Sequence, residues 1–232
     1  MSASRSHARD LARGDSLVPA WVKEAGRAIL APIVRVAMAL HVTPNTITVI
    51  GLLIVAVAAI LVASGQLLLG AVVVTAGSAL DAVDGALARA NGGGTAFGSF
   101  LDSTLDRAGE AILYTGIAGY FLRFSDDPTW PVLATIVALG GSFMVSYARA
   151  RAEGIGLTAD VGLAPRTERV VLIVAGIALG GLGYGIGLIG AIIIIAGLTV
   201  ATVIQRIWHV RGLVQRRAVA SAKAEDTSKE NA

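Results

Sequence analysis

Apolar residues fill most of the chain in long blocks, separated by short turns rich in glycine, serine or proline. Thr43-Pro44-Asn45 is a turn and helix-start signal. From Thr43 to Ala63 no charge occurs, enough for one membrane span at ~20 residues. Ser64-Gly65-Gln66 turns the chain. A second run, Leu67 to Leu80, continues into Asp81, Asp84 and Arg89, and Gly92-Gly93-Gly94 forms a hinge. A third helix is expected from Thr95 to about Phe124, and a fourth from about Trp130 to Arg151. Val170 to Gln205 holds 36 residues without a charge. As one helix that run would be ~54 Å long, against a ~30 Å hydrocarbon core. It therefore divides into two spans near Gly180-Gly181-Leu182-Gly183, giving six in all.

Ahead of the spans, Val18, Val22, Ala25, Ile29, Ile33 and Val36 recur at helical spacing, with Lys23, Glu24, Arg27 and Arg35 off that stripe. This predicts an amphipathic helix at the membrane surface. The expected fold is thus an all-α integral membrane protein of six transmembrane helices preceded by an amphipathic surface helix. Residues 1–16 form a disordered N-terminus, 17–42 the juxtamembrane helix, 43–210 the six-span domain and 211–232 a polar, disordered C-terminal tail.

Composition agrees with that pattern. Of 232 residues, 55% are hydrophobic and 15% charged, against about 25% charged in an ordinary soluble domain. No cysteine occurs, so disulfides and thiolate metal sites are excluded. No cleavable secretory signal follows the basic N-terminus. The pI near 9.6 points, in a chain this apolar, to anionic membrane lipids rather than nucleic acid. Six spans put both termini on one side. Of 19 Lys and Arg residues, Arg123 alone then falls on the other side, with Arg107 just inside the third helix. The positive-inside rule makes the basic side cytoplasmic in a multi-pass plasma-membrane protein.

Four carboxylates stand out against this background. Asp81 and Asp84 end one apolar run, and Asp102 and Asp106 open the next. A charge near the bilayer centre costs at least ~2.5–3.5 kcal/mol, which marks such residues as functional. At 100° per residue, Asp81, Asp84, Gly85, Ala88 and Arg89 share one helix face, and Gly98, Asp102 and Asp106 share another. The helices are joined by a short turn, so antiparallel packing with facing acids is expected. Four carboxylates this close need cations. Hard oxygen ligands without His or Cys favour Mg²⁺ or Mn²⁺, and two such ions would neutralise the four acids and hold a diphosphate.

The run from Asp81 to Asp106, DAVDGALARANGGGTAFGSFLDSTLD, fits D-x2-D-G-x2-A-R-x8-G-x3-D-x3-D at every fixed position. It resembles the CDP-alcohol phosphatidyltransferase family, which is also built on six spans. The resemblance implies that Asp81, Asp84, Asp102 and Asp106 bind two metals and that Asp106 is the general base on the attacking hydroxyl. It further implies that Asp84, Gly85, Arg89 and Thr95 contact the CDP portion of a CDP-diacylglycerol donor. Pro44-Asn45-Thr46-Ile47-Thr48 resembles the family's nucleotide-contacting segment, adding Asn45 and Thr48; some relatives carry Asp in place of Asn45.

A second cluster is basic: Arg149, Arg151, Arg166, Arg169 and Arg206 surround the cytoplasmic end of the later spans. Positive-inside bias alone explains many such clusters, but arginine also suits bidentate phosphate binding. Ser146 to Val174 and Val203-Ile204-Gln205-Arg206 resemble the actinobacterial-type phosphatidylinositol phosphate synthase branch. That likeness implies inositol 1-phosphate as acceptor, with Ser146, Arg149, Arg151, Arg169 and Arg206 around it, and a homodimer. Four rivals remain: glycerol 3-phosphate as acceptor, an archaeal-type lipid donor, a divalent-cation transporter, and a noncatalytic scaffold. A permeation path would carry acids through the membrane rather than at one end, and the arginines would repel its cargo.

Overall fold

The computed structural model describes residues 32, 34–40, 42–90 and 93–230. The N-terminus and most of the expected amphipathic helix over 17–42 lie outside them. Within that segment, 34–39 are helical, and Ala37 packs with Ile47, Val83 and Leu87, while Val36, Met38 and Leu40 are exposed.

Six long helices follow: α1 (Pro44–Ala63), α2 (Leu67–Ala90), α3 (Ala96–Phe124), α4 (Thr129–Glu153), α5 (Arg166–Gly181) and α6 (Ile186–Glu230). No strand occurs among the described residues. The starts of α1 and α3 are set locally. Thr43 caps α1 by accepting from the Thr46 backbone N–H at 3.2 Å, with Pro44 in the first turn. Thr95 caps α3 by accepting from Gly98 at 2.9 Å. A hydroxyl at that position satisfies an otherwise orphaned helical donor. The long apolar run breaks between Gly181 and Ile186, as its length required. Gly183 there has φ +91°, a conformation glycine takes without penalty.

Among the described residues, four helices are long and apolar enough to cross a membrane: α1, α2, α4 and the Ile186–Ala220 part of α6. α3 carries Asp102, Asp106, Arg107 and Glu110 in its first half, and α5 has 16 residues beginning with Arg166, Glu168 and Arg169. The tail departs from expectation. α6 continues as one helix to Glu230. After Gly212 the sequence contains neither glycine nor proline and is rich in Ala, Lys, Arg and Glu, all good helix formers.

The packed pairs trace a closed ring: α1 on α2, α2 on α5, α5 on α6, α6 on α4, α4 on α3, and α3 back on α1. α1 joins the first three helices, and α6 joins the last three. The close approaches need glycine. A Cβ on Gly116 of α3 would lie 2.5 Å from the Ala59 carbonyl of α1, and one on Gly141 of α4 would collide with Thr199 of α6. The apolar core runs through the middle of the ring, with Tyr114, Ile117, Ile177, Leu188, Ile192 and Ile195 among its buried members. One expectation is overturned. α2 and α3 are not a packed pair; α1 lies against both and leaves a gap between the two acid-bearing helices.

Candidate active site

Two compartments meet near the acids, one in this gap and one on the other side of α3. The first, about 410 Å³, is built almost wholly from the first half of the chain: Thr43, Asn45 and Thr48 of the α1 start, Asp84, Gly85 and Ala88 of α2, and Thr95, Gly98, Ser99 and Asp102 of the α3 start. The buried Thr48 hydroxyl donates to Asp84 Oδ2 at 2.7 Å, fixing α1 to α2. A Cβ on Gly98 would lie 3.0 Å from Thr95 Oγ1 and 3.1 Å from Asn45 Oδ1. Gly98 therefore permits these polar groups to meet. The exposed Arg89 lays its guanidinium beside Gly85, 3.4 Å from where a Cβ would stand. Five of the six residues expected to meet a nucleotide thus line this compartment, and the sixth, Arg89, lies beside one of them, Gly85.

The second compartment, about 930 Å³, draws on α3, α4, α5 and α6. Its wall includes Asp102, Asp106, Arg107, Ser146, Arg149, Arg166, Arg169 and Arg206. Asp102 lines both compartments, so the acids mark their junction. Four of the five residues expected around an acceptor are present. The fifth, Arg151, is exposed and outside the wall. Two residues along a helix turn the side chain by about 200°, so Arg151 cannot share the face of Arg149.

The arginines differ in how they are held. Arg149 is half exposed and pairs with Glu153 at 2.9 Å and Asp160 at 3.1 Å. Arg206 is buried and donates to the backbone carbonyls of Val145 and Val161, tying α6 to the end of α4 and to the loop before α5. Arg169, only 1% exposed, donates to the Ala164 carbonyl at 2.8 Å and to Glu110 at 2.7 Å.

Arg166 was counted only as part of the basic cluster, yet it lies at the centre of the acids. Its Nη2 contacts Asp81 Oδ2 at 2.6 Å and Asp106 Oδ1 at 2.7 Å. It bridges α2 and α3, which do not pack on each other. No spacing rule predicts this, because 85 residues separate Arg166 from Asp81. Arg107 and Glu110 were also missed as site residues. A signal for Glu110 existed: Gly98, Asp102, Asp106 and Glu110 continue one stripe at four-residue intervals.

The donor set fits a hard divalent cation. It is all carboxylate, and a guanidinium already supplies positive charge between Asp81 and Asp106. Among the described residues, no three acids surround one point as a finished cage. Asp84 is held by Thr48, and Asp81 and Asp106 by Arg166. Ion binding at all four therefore requires Arg166 to yield part of its contact.

The acids thus stand where two polar compartments meet inside a ring of apolar helices. Residues 41–211 match the CDP-alcohol phosphatidyltransferase family, and the chain belongs to it. It is 36% identical over 186 residues to a phosphatidylinositol phosphate synthase of Corynebacterium glutamicum, covering 80% of this chain and 85% of that one. It is 42% identical over 165 residues to an archaetidylinositol phosphate synthase of Methanothermobacter thermautotrophicus, covering 71% and 80%. The fold is similar to a crystal structure of Mycobacterium tuberculosis phosphatidylinositol phosphate synthase with CDP-DAG bound. The TM-score is 0.74 at 33% identity, over 79% of this chain and 94% of that one. A second structure of that protein, in complex with manganese and citrate, gives a TM-score of 0.73 at 32% identity, over 78% and 88%.

Proposed function

We propose that the protein transfers the phosphatidyl group of CDP-diacylglycerol to inositol 1-phosphate, giving phosphatidylinositol phosphate and CMP. The carrying observation is the junction: Asp102 lies between a compartment shaped for the nucleotide and a basic one suited to a phosphorylated alcohol. Asp81, Asp84, Asp102 and Asp106 would hold two divalent ions, Mg²⁺ or Mn²⁺. Such ions supply charge neutralisation for the diphosphate and the departing nucleotide. Asn45, Thr48, Asp84, Gly85, Arg89 and Thr95 would bind and orient CDP. Ser146, Arg149, Arg169 and Arg206 would hold the acceptor's phosphate and exclude the neutral alcohol.

Asp106, in both the basic compartment and the interior beside it, takes the proton of the attacking hydroxyl. The acceptor oxygen bonds to the lipid-bearing phosphorus. The bond from that phosphorus to the bridging oxygen breaks, and CMP leaves with the electron pair. A groove of about 650 Å³ between α2 and α5, lined by Thr75, Ser78, Ala79, Val170, Val171 and Val174, opens beside Asp81 and Arg166. It offers an apolar path for the donor's tails.

The same reading makes all six helices span the plasma membrane, with the site and both termini cytoplasmic. The ring supports this, because Asp106 and Glu110 of α3 and Arg169 of α5 are turned inside it. It also carries a homodimer. One alternative has a specific support. The archaetidylinositol relative shares the inositol phosphate of its product name and differs in the lipid, so an archaetidyl donor is the second reading.

The test is CMP release by purified protein with CDP-diacylglycerol, divalent metal and one acceptor at a time. Inositol 1-phosphate should support release, and glycerol 3-phosphate, inositol and serine should not. Release with glycerol 3-phosphate alone would move the acceptor assignment; a preference for CDP-archaeol would move the donor.

A further inference from the structure

Glu110 is a buried carboxylate that the reaction above does not use. It sits one turn beyond Asp106 and is 8% exposed. It lines the small interior cavity behind the acids, and not the large basic compartment. Its two oxygens face two arginines that do line that compartment. Oε1 accepts from Arg169 Nη2 at 2.7 Å, and Oε2 lies 3.7 Å from Arg107 Nε.

Each arginine uses its remaining amines to hold another element. Arg107 donates to Ser146 Oγ of α4 at 2.6 Å and approaches Asp106 at 3.6 Å. Arg169 donates to the Ala164 carbonyl, and the Ala164 N–H donates to Thr202 Oγ1 of α6. One carboxylate therefore links α3, α4, α5, the loop before α5 and α6.

The charges explain why this residue must be an acid. Two guanidiniums side by side in a poorly solvated place repel each other. One carboxylate between them removes the repulsion and leaves the group with one net positive charge. Because the carboxylate is behind the wall, that charge is presented forward, into the compartment. Arg107 Nε, Arg169 Nε and Glu110 Oε2 are buried without hydrogen-bond partners.

We infer that Glu110 is a positioning residue for the acceptor: it holds Arg107 and Arg169 in the wall of the basic compartment so that they present a fixed positive surface to the acceptor's phosphate. This rests on the proposed acceptor site, although any phosphate monoester would feel the same surface.

The test is Glu110→Gln in the full-length protein in detergent, compared with Glu110→Asp and with wild type. CMP release is measured against both substrates, and inositol 1-phosphate binding is measured by calorimetry. Glu110→Gln should raise the acceptor KM about tenfold or more and weaken acceptor binding in parallel. The donor KM should stay within about twofold and kcat within about threefold, and Glu110→Asp should recover part of the loss. Parallel loss of kcat and of both KM values, with a lower melting temperature, would reduce Glu110 to a structural residue and overturn the inference. A fall in kcat at unchanged acceptor KM would place it on the Asp106 side and also overturn it. If Glu110→Gln does not fold, Arg107→Gln breaks the same link from the compartment side and must raise the acceptor KM. Wild type active with glycerol 3-phosphate but not inositol 1-phosphate would reject the proposed acceptor. The Glu110 measurements would then be read with glycerol 3-phosphate.

Discussion

The two compartments at the site are made in opposite ways. The compartment proposed for the nucleotide takes its residues from Thr43 to Asp102, with α1 packed on both α2 and α3. The basic compartment gathers residues from Ser99 to Arg206 and depends on α6 to bring α4 and α5 together. Short, capped connections build the first. Contacts 39 to 85 residues apart, such as Arg107–Ser146, Arg169–Glu110 and Arg166–Asp81, join the halves. Local geometry therefore secures the proposed donor side, whereas the proposed acceptor side is as good as the closure of the ring. Changes on the two sides should separate kinetically, with Asp102 lining both compartments and the proposed proton transfer at Asp106 needed whichever side is changed.

The largest expected effect is at Asp106. Asp106→Asn should lower kcat by about 10²–10⁴-fold, the range for loss of a general base, while CDP-diacylglycerol still binds. Loss of donor binding instead would show that Asp106 acts in holding the donor rather than as the base. Next comes Arg206→Ala, which removes a buried cation and leaves the Val145 and Val161 carbonyls without their donor. The orphaned carbonyls should lower the melting temperature, and loss of a charged contact to the acceptor phosphate, about 1.5–3 kcal/mol, should raise the acceptor KM roughly 10- to 100-fold with donor binding unchanged. An unchanged acceptor KM would remove Arg206 from that site.

Arg166→Met should act on stability through the metal. Without Arg166, Asp81 and Asp106 face each other uncompensated, so the melting temperature in chelator should fall. Mn²⁺ or Mg²⁺ should restore more stability to the variant than it adds to wild type, because the ion no longer competes with a guanidinium. Equal metal stabilisation of the two proteins would break this picture. Gly98→Ala should be milder: its Cβ meets Thr95 and Asn45 oxygens at 3.0–3.1 Å, which small shifts can relieve. The donor KM should rise about three- to tenfold, leaving the acceptor KM alone. The smallest effect is Arg151→Ala, which should change the acceptor KM less than about twofold; a larger change would bring Arg151 back to the acceptor.

The helix starts at Thr43 and Thr95, the break after Gly181 and the fixed pattern from Asp81 to Asp106 were all legible in the sequence. Each is a matter of periodicity, capping or run length within about thirty residues, where covalent spacing fixes geometry. The motif also carried the family. Less legible was the role of each arginine. Arg149, Arg151, Arg166 and Arg169 look alike along the chain, yet one is half exposed in ion pairs, one faces away, one bridges two acids and one is buried on Glu110. The 200° turn between Arg149 and Arg151 could have excluded their sharing a site.

The chain by itself determined six helices, their polar ends and the oxygen-rich chemistry of α2 and α3, because these depend on neighbours in sequence. Tertiary structure alone decided that α1 would hold α2 and α3 apart, that Arg166 would enter the space between Asp81 and Asp106, and that Glu110 would stand behind two arginines. Those outcomes depend on how six helices close into a ring, where close contacts such as Gly116–Ala59 and Gly141–Thr199 set the spacing. Such contacts are long-range, so no local pattern encodes them.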